Sequence, residues 1–398
     1  MMKNIFYSTL FCAGIFLASC HNGKEVDTDL ITIDLSENYP LNDAIPIQQL
    51  GKVEYIPLET DSVFLCDGQK GIRFINNEFI IFYNITNNDF LIFNREGKAM
   101  NKFNRHGQGP GDYFAVFDLM YDEKRQELFM NNSDQFLQIY DLQGNFKRRL
   151  INVRDFIPAG YIEFSGFNEN LLLYSTEPDS SGARLNKFMV FSKQSGEKVK
   201  EIISLDDPAT REYFTSGERS VLIDKIYDSG YWPRIVVKDT FSFYNSEPWS
   251  DTISEFSEDL NSKIPVIVRQ PSFFTSDFKG LLFLDLVTRD HYFLRFYRTH
   301  SDSPEHMTVN RKTKQITLQN FYNEDDLNKK KIYFGLSGVD GIRKVDDNTC
   351  YMLLDAFNLK EAYHNDELKG ELKEIAAKIR EDDNPVLMII DLETGNKE

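Results

Sequence analysis

FLIFNREGKAMNKF, residues 90–103, reads as a strand (90–93), a polar turn ending at Gly97, and a second strand. Five weaker copies follow. They are FLQIYDLQGNFKRRL at 136–150, FMVFSKQSGEKVKEI at 188–202, TISEFSEDLNSKIPVIV at 252–268, MTVNRKTKQITL at 307–318 and VLMIIDLETGNKE at 386–398. The turn markers Gly97, Gly144 and Gly196 stand 47 and 52 residues apart, and the steps onward to Leu260, Lys314 and Gly395 are 64, 54 and 81. A period of roughly 40–50 residues with four short strands per unit is the signature of a propeller blade, so six units predict an all-β, six-bladed β-propeller.

Working outward, each copy supplies strands C and D of its blade, and A and B precede it. A and B read at 71–75 and 79–83 in blade one, and B reads at 128–130 in blade two and 171–174 in blade three. The pair falls at 234–237 and 241–244 in blade four, 281–286 and 292–297 in blade five, and 342–345 and 351–354 in blade six. After strand C of blade six too few residues remain for a D strand. An open ring would expose a sheet edge, which folded proteins avoid. Residues 53–58, a strand without a blade of its own, are therefore expected to close blade six. Two stretches exceed the pattern, 206–230 and 358–384. In the second, Leu368, Leu372, Ile375 and Ile379 are spaced i, i+4, i+7, i+11 and Glu374 precedes Lys378 by four. That predicts one amphipathic helix in blade six, with its apolar stripe on the propeller.

The chain has 398 residues, 33 Phe and 19 Tyr, a composition suited to half-buried pleated strands. Its net charge of −17 argues against nucleic-acid binding and against docking on anionic lipid by charge alone.

Lys3 precedes an apolar run over 5–18, too short for a span and right for a signal peptide. The run ends Leu17-Ala18-Ser19-Cys20, which resembles a bacterial lipobox. The resemblance implies cleavage before Cys20 and its lipidation, giving a signal peptide at 1–19, a lipidated cysteine with its tether at 20–49, and the propeller at 50–398. Several acyl chains hold a protein firmly, at about 0.8 kcal/mol per buried CH₂. Lys24-Glu25 with Asp27 and Asp29 faintly resembles the acidic export signal of Bacteroidetes surface lipoproteins. Outer-membrane anchorage is expected, on the periplasmic side or the cell surface.

Lipobox, six repeats, Ile56-Pro57-Leu58-Glu59-Thr60 and the heptad GQGPGDY at 107–113 together resemble the six-bladed β-propeller lipoproteins of Bacteroidetes, TolB-like or NHL-like in fold. The resemblance covers roughly residues 50–398. The copies at 252–268 and 307–318 depart from it by lacking a turn glycine.

Candidate ligand contacts follow from topology. Connections D–A and B–C open on one face. Gly107, Gln108, Gly109, Gly111 and Tyr113 form a glycine-rich crossover there that is either a tight connection between blades or a backbone cradle for an anion or glycan hydroxyl. Tyr231, Trp232 and Trp249 lie on or beside the same face and either stack on a sugar ring or pack between blades. Arg73, Arg234 and Arg343 fall in strands A, which line the channel, with Asp118, Glu163 and Asp285 in or beside the others. That set either pairs internally or holds a carboxylate or phosphate.

No HExxH, GxSxG or Cys/His cluster occurs, so no metal and no cofactor is expected. His300 and His306 are the nearest to a metal pair. Cys66 and Cys350 are placed toward opposite faces, against a disulfide. Asp61-Ser62-Val63 and Asp251-Thr252-Ile253 resemble the short O-glycosylation motif of Bacteroidetes. The expectation is a monomeric, membrane-anchored binding or scaffold propeller for a glycan, peptide or envelope protein. The alternative is a hydrolase or lyase with its site in the channel.

Overall fold

The structure is a computed structural model that describes residues 30–392, apart from 69–70, 134, 158–161, 179–183, 204–235, 238–242, 247–249, 258, 274–279, 299–303, 335–340 and 346–347. The described residues form six mainly antiparallel sheets, two short α-helices and two 3₁₀ turns. In chain order, sheet one holds Ile72–Ile75, Phe79–Tyr83, Phe90–Asn94 and Ala99–Phe103. Sheet two runs from Val116–Asp122 to Phe146–Asn152 and sheet three from Ile162–Phe167 to Lys198–Ile203. Sheet four spans Val236–Val237 to Lys263–Gln270, and sheet five Gly280–Val287 to Ile316–Leu318. Gly341–Lys344, Thr349–Leu354 and Val386–Asp391 are the heart of sheet six.

Strand composition tracks position within each sheet. The second strand of sheet one, FIIFY, is buried at all five residues, because sheets cover both of its faces. The fourth, AMNKF, alternates exposed and covered positions, as an outer strand does. Six apolar clusters hold the sheets to one another, each joining consecutive sheets. Phe90, Tyr113 and Tyr140 belong to the cluster of sheets one and two. Phe129 and Phe191 join two to three, and Phe167 and Phe243 three to four. Tyr244 and Leu294 join four to five, while Phe293 and Phe334 join five to six. The sixth cluster, with Ile56, Phe82 and Leu387, joins sheet six back to sheet one. Each fully buried Phe or Leu contributes about 1.5–3 kcal/mol.

The repeat register holds at the turns. Gly97, Gly144 and Gly196 have φ of 79°, 79° and 72°, and Leu260 and Lys314, the marker positions without glycine, have φ of 58° and 60°. The fold imposes the same left-handed turn in all five, at a cost of about 1–2 kcal/mol where the residue has a Cβ. Leu260 offsets this by burying its side chain. Each glycine also abuts the sheet before it: a Cβ on Gly97 would stand 2.3 Å from the Pro57 carbonyl oxygen, and one on Gly196 2.3 Å from that of Leu150.

The strand expected from residues 53–58 is present at the edge of sheet six. Lys52–Pro57 pairs antiparallel with Val386–Asp391 along its whole length, from Pro57 opposite Val386 to Lys52 opposite Asp391. The chain before it, expected as tether through residue 49, is pairing from Ile31 onward. Ile31–Asp34 adds a parallel fifth strand outside Lys263–Gln270, Leu41 bridges Leu318 of sheet five, and Ile45–Pro46 pairs with Phe321–Tyr322. This strap therefore runs along the edge strands of sheets four and five and then pairs at the end of sheet six opposite to Lys52–Pro57. Its apolar Ile31, Ile33 and Leu35 are buried.

One helix was expected within 358–384, and there are two: α1 (Ala356–His364) and α2 (Gly370–Lys378). The break has a local cause, since Asp366 and Gly370 both take positive φ. Leu368 lies in the break and Ile379 just past α2. All four stripe residues still pack in the cluster of Tyr55, Met352, Val386 and Met388, so the apolar stripe covers sheet six as expected.

Candidate functional site

Strands two and four of an antiparallel sheet end on the same side, so within a sheet the connections from those strands leave together. Around sheet one, three such connections are stitched together. Lys102 Nζ donates to the Val63 carbonyl at 3.1 Å, Asn84 Nδ2 to Leu65 O at 2.6 Å, and Thr86 N–H to Asp67 Oδ2 at 2.6 Å. Asn104 Nδ2 donates to Asn87 O, and the Tyr113 hydroxyl to Asn88 O at 2.8 Å. This polar scaffolding leaves apolar side chains outward: Val63 and Leu65 are 50% exposed, Ile85 59% and Phe114 64%. The His106 ring rests against Phe114 at 5.8 Å, and Phe357 opens α1 at 54% exposure. These large apolar side chains are held out of the core by ordered connections. Sequence reading missed these residues; the available signal was an apolar residue inside each polar connection, as in Asn84-Ile85-Thr86.

The glycine-rich crossover is folded on itself. Gly107 N–H donates to Tyr113 O, Gly109 N–H to Asp112 Oδ2 at 2.8 Å, and Asp112 N–H to Gly109 O. The Gly111 carbonyl accepts from the Tyr140 hydroxyl. Tyr113 is fully buried against Phe90 and Tyr140, and its hydroxyl accepts from Arg105 N–H. With these amides engaged inside the loop, the geometry favours a crossover that plugs the junction of sheets one and two. No contact of Gln108 bears on the cradle reading. Tyr231, Trp232, Trp249 and Arg234 lie outside the described residues, as do His300 and the side chain of Glu163.

Arg73 and Arg343 occupy the first strands of sheets one and six. Arg73 sits in a bulge between the paired residues Ile72 and Phe74, with its guanidinium 5.5 Å from the Tyr83 ring centre. Arg343 is directly opposite Tyr351 and reaches its hydroxyl. Burial raises the Tyr351 phenol, while Arg343 and then Arg73 oppose the rise. Asp285 also sits at a bulge, but its carboxylate is closed by a bidentate pair with Arg295 at 2.6 and 2.7 Å. Bulges re-aim side chains, which explains their presence at both sites. Asp118 accepts from Leu119 and Phe164 N–H groups.

On the opposite side of the seam between sheets six and one lies a cleft of about 110 Å³, lined by Lys52, Glu54, Arg95, Asn76, Thr349 and Asp391. Arg95 pairs with Glu54 there at 3.3 Å. His306 is stacked on Tyr333 at 4.2 Å, and burial, with Arg295 and Lys331 beside it, lowers its pKa to about 4. Among the described residues no three His, Cys, Asp or Glu side chains are grouped to hold a metal. Cys66 and Cys350 are free thiols, the first hydrogen-bonded through its backbone N–H to Asn384 and the second buried in sheet six.

Residues 30–391 match the family described as Domain of unknown function (DUF4934). The chain belongs to that family. A candidate exported protein from Bacteroides fragilis superposes with a TM-score of 0.59 at 15% identity, covering 91% of this chain and 99% of that one. A member of the DUF4221 family from Bacteroides vulgatus follows, with a TM-score of 0.47 at 12% identity over 85% of this chain and 96% of that one. The first of these likenesses is one of fold alone. No curated protein matches the sequence. No helix among the described residues is long and apolar enough to cross a membrane.

Proposed function

We propose that this member of the DUF4934 family is a six-bladed β-propeller lipoprotein that recognises a polypeptide partner of the cell envelope through its connection-bearing face. The outward set Val63, Leu65, Ile85 and Phe114 carries this reading. Aliphatic side chains desolvate well against a protein or peptide and offer a sugar nothing to hydrogen-bond, so a polypeptide fits better than a glycan. The propeller reading is supported by six consecutive sheets, by clusters joining each to the next and the last to the first, and by the pairing of Lys52–Pro57 with Val386–Asp391.

Orientation supports the same reading. Ile31–Asp34 runs parallel to Lys263–Gln270, so the chain enters sheet four from the turn side, opposite the connection-bearing face. With a lipid on Cys20, ten residues before Leu30, the tether spans at most about 36 Å, and the apolar face is presented away from the bilayer. The resemblance of 17–20 to a lipobox and the exported character assigned to the Bacteroides fragilis protein agree with an envelope location.

The experiment is a peptide and glycan array probed with the full chain, with any hit incubated to test for turnover. A peptide or protein hit should weaken about tenfold or more in Ile85→Glu/Phe114→Glu, since central apolar contacts carry most interface energy. Binding that is indifferent to this pair, hits confined to glycans, or hydrolysis or elimination of the bound ligand would each overturn the reading.

A further inference from the structure

We propose that the inner end of the seam between sheets six and one is a binding site for a small oxyanion, a carboxylate or phosphate group, held by Arg73 and Arg343 with the Tyr351 hydroxyl as a third donor. The site is distinct from the apolar face and does not depend on that reading.

The Arg73 guanidinium lies beside the Tyr83 ring, and its charge, like that of Arg343 on the facing sheet, reaches the Tyr351 phenol. Arg73 Nε is buried and has no hydrogen-bond partner. No carboxylate among the described residues forms an ion pair with Arg73 or Arg343. Asp67, the acid whose charge reaches the Tyr83 phenol beside Arg73, gives an oxygen to Thr86 N–H instead. The buried pair Asp285–Arg295 shows how this fold settles an inner-strand charge when the partner is supplied within the chain. At Arg73 and Arg343 no such partner is supplied among the described residues, and a half-buried cation without a counter-charge is costly.

The surroundings set what fits. Arg343 and Tyr351 are cross-strand partners, so their side chains share one face of sheet six. Tyr351 packs in the same cluster as Ile72 and Phe82 of sheet one, which brings Arg73 to the same junction. The Tyr351 oxygen is approached by Arg343, which leaves its hydroxyl proton to be donated. Planar forks and a phenol hydroxyl aimed into one junction match the lone pairs of a carboxylate or phosphate, and Arg recognises either in bidentate fashion. Because the two arginines belong to sheets joined through the closing strand Lys52–Pro57, a ligand between them also tightens that seam.

The test is thermal unfolding of the full chain in detergent against glucuronate, inorganic phosphate and glucose, with sodium chloride at matched ionic strength. A saturable rise of roughly 1–3 °C is expected with glucuronate, phosphate or both, and none with glucose or chloride. Glucuronate alone identifies a carboxylate ligand, and phosphate alone a phosphorylated one. R73Q and R343Q should each abolish the rise, and Y351F should weaken it. No saturable rise with either anion, or a rise that persists unchanged in R343Q, would overturn the proposal. Should a glutamine variant not fold, R73K and R343K keep the charge and lose the fork, and about tenfold weaker binding is expected. Unchanged affinity in both lysine variants would likewise count against the site.

Discussion

Asn384 uses every polar atom of its side chain to hold one piece of chain against another. Its Nδ2 donates to the carbonyls of Glu59 and Phe64 at 2.7 and 2.8 Å, its Oδ1 accepts from Cys66 N–H at 2.8 Å, and its own N–H donates to Thr60 Oγ1. The residue is buried, so its replacement leaves backbone groups without partners. Asn384→Ala should lower stability by about 2–4 kcal/mol, read from the midpoint shift in urea at an unchanged slope. An unshifted midpoint would mean water replaces these bonds freely. Nothing local in Asn384-Pro385 announces this role, because the partners lie more than 300 positions earlier. Turn positions behave in the opposite way. Gly97, Gly144 and Gly196 declare a left-handed turn by type, and Leu260 and Lys314 adopt it without declaring it. At Leu260 the reward is burial, which a single turn's sequence does not display.

Among elements, the strand Lys52–Pro57 has the largest consequence. It covers the full edge of Val386–Asp391 and places Tyr55, whose hydroxyl reaches Asn323 Oδ1 and Asp325 Oδ2, both at 2.9 Å. Ile56 faces sheet one while Tyr55 faces the helical pair, as alternation along a strand requires. Deleting residues 50–60 should therefore remove cooperative unfolding altogether, seen as loss of the thermal transition in circular dichroism. A truncated chain that melts at the parent temperature would refute a closing role. The strand itself was legible as an apolar, β-branched run in the sequence. The strap before it was not, since Ile31–Asp34 and Ile45–Pro46 are short and pair with strands more than 200 residues away. The single expected helix became α1 and α2 for a related reason: spacing reports which residues share a face, but not where the backbone breaks between them.

For the whole molecule, the proposed lipid anchor and the strap that follows it set a testable orientation. The strap enters from the turn side and the apolar residues lie on the other. If Cys20 carries the anchor, Cys20→Ala should move the protein from the membrane pellet to the soluble fraction after cell lysis and ultracentrifugation. Intact mass of the wild-type chain should correspond to residues 20–398 plus lipid. A variant that stays in the pellet would exclude acylation as the means of attachment. An acidic chain of net charge −17 has no electrostatic route to an anionic bilayer, so the anchor and not the surface would hold it there.

Sequence alone determined the repeat, the all-β class and the pairing of an N-terminal strand with the last one, because those rest on local periodicity and on the arithmetic of strands per unit. Tertiary structure decided which candidates meet. It folded the amides of Gly107 and Gly109 into their own loop, set Arg343 opposite Tyr351 and Arg73 beside Tyr83, and left Val63, Leu65, Ile85 and Phe114 exposed. Those outcomes depend on bulges, registers and hydrogen bonds between connections far apart in the chain. Residues 90–103 predict that a second sheet must pack on theirs; only the assembled sheets determine which side chains remain free to bind.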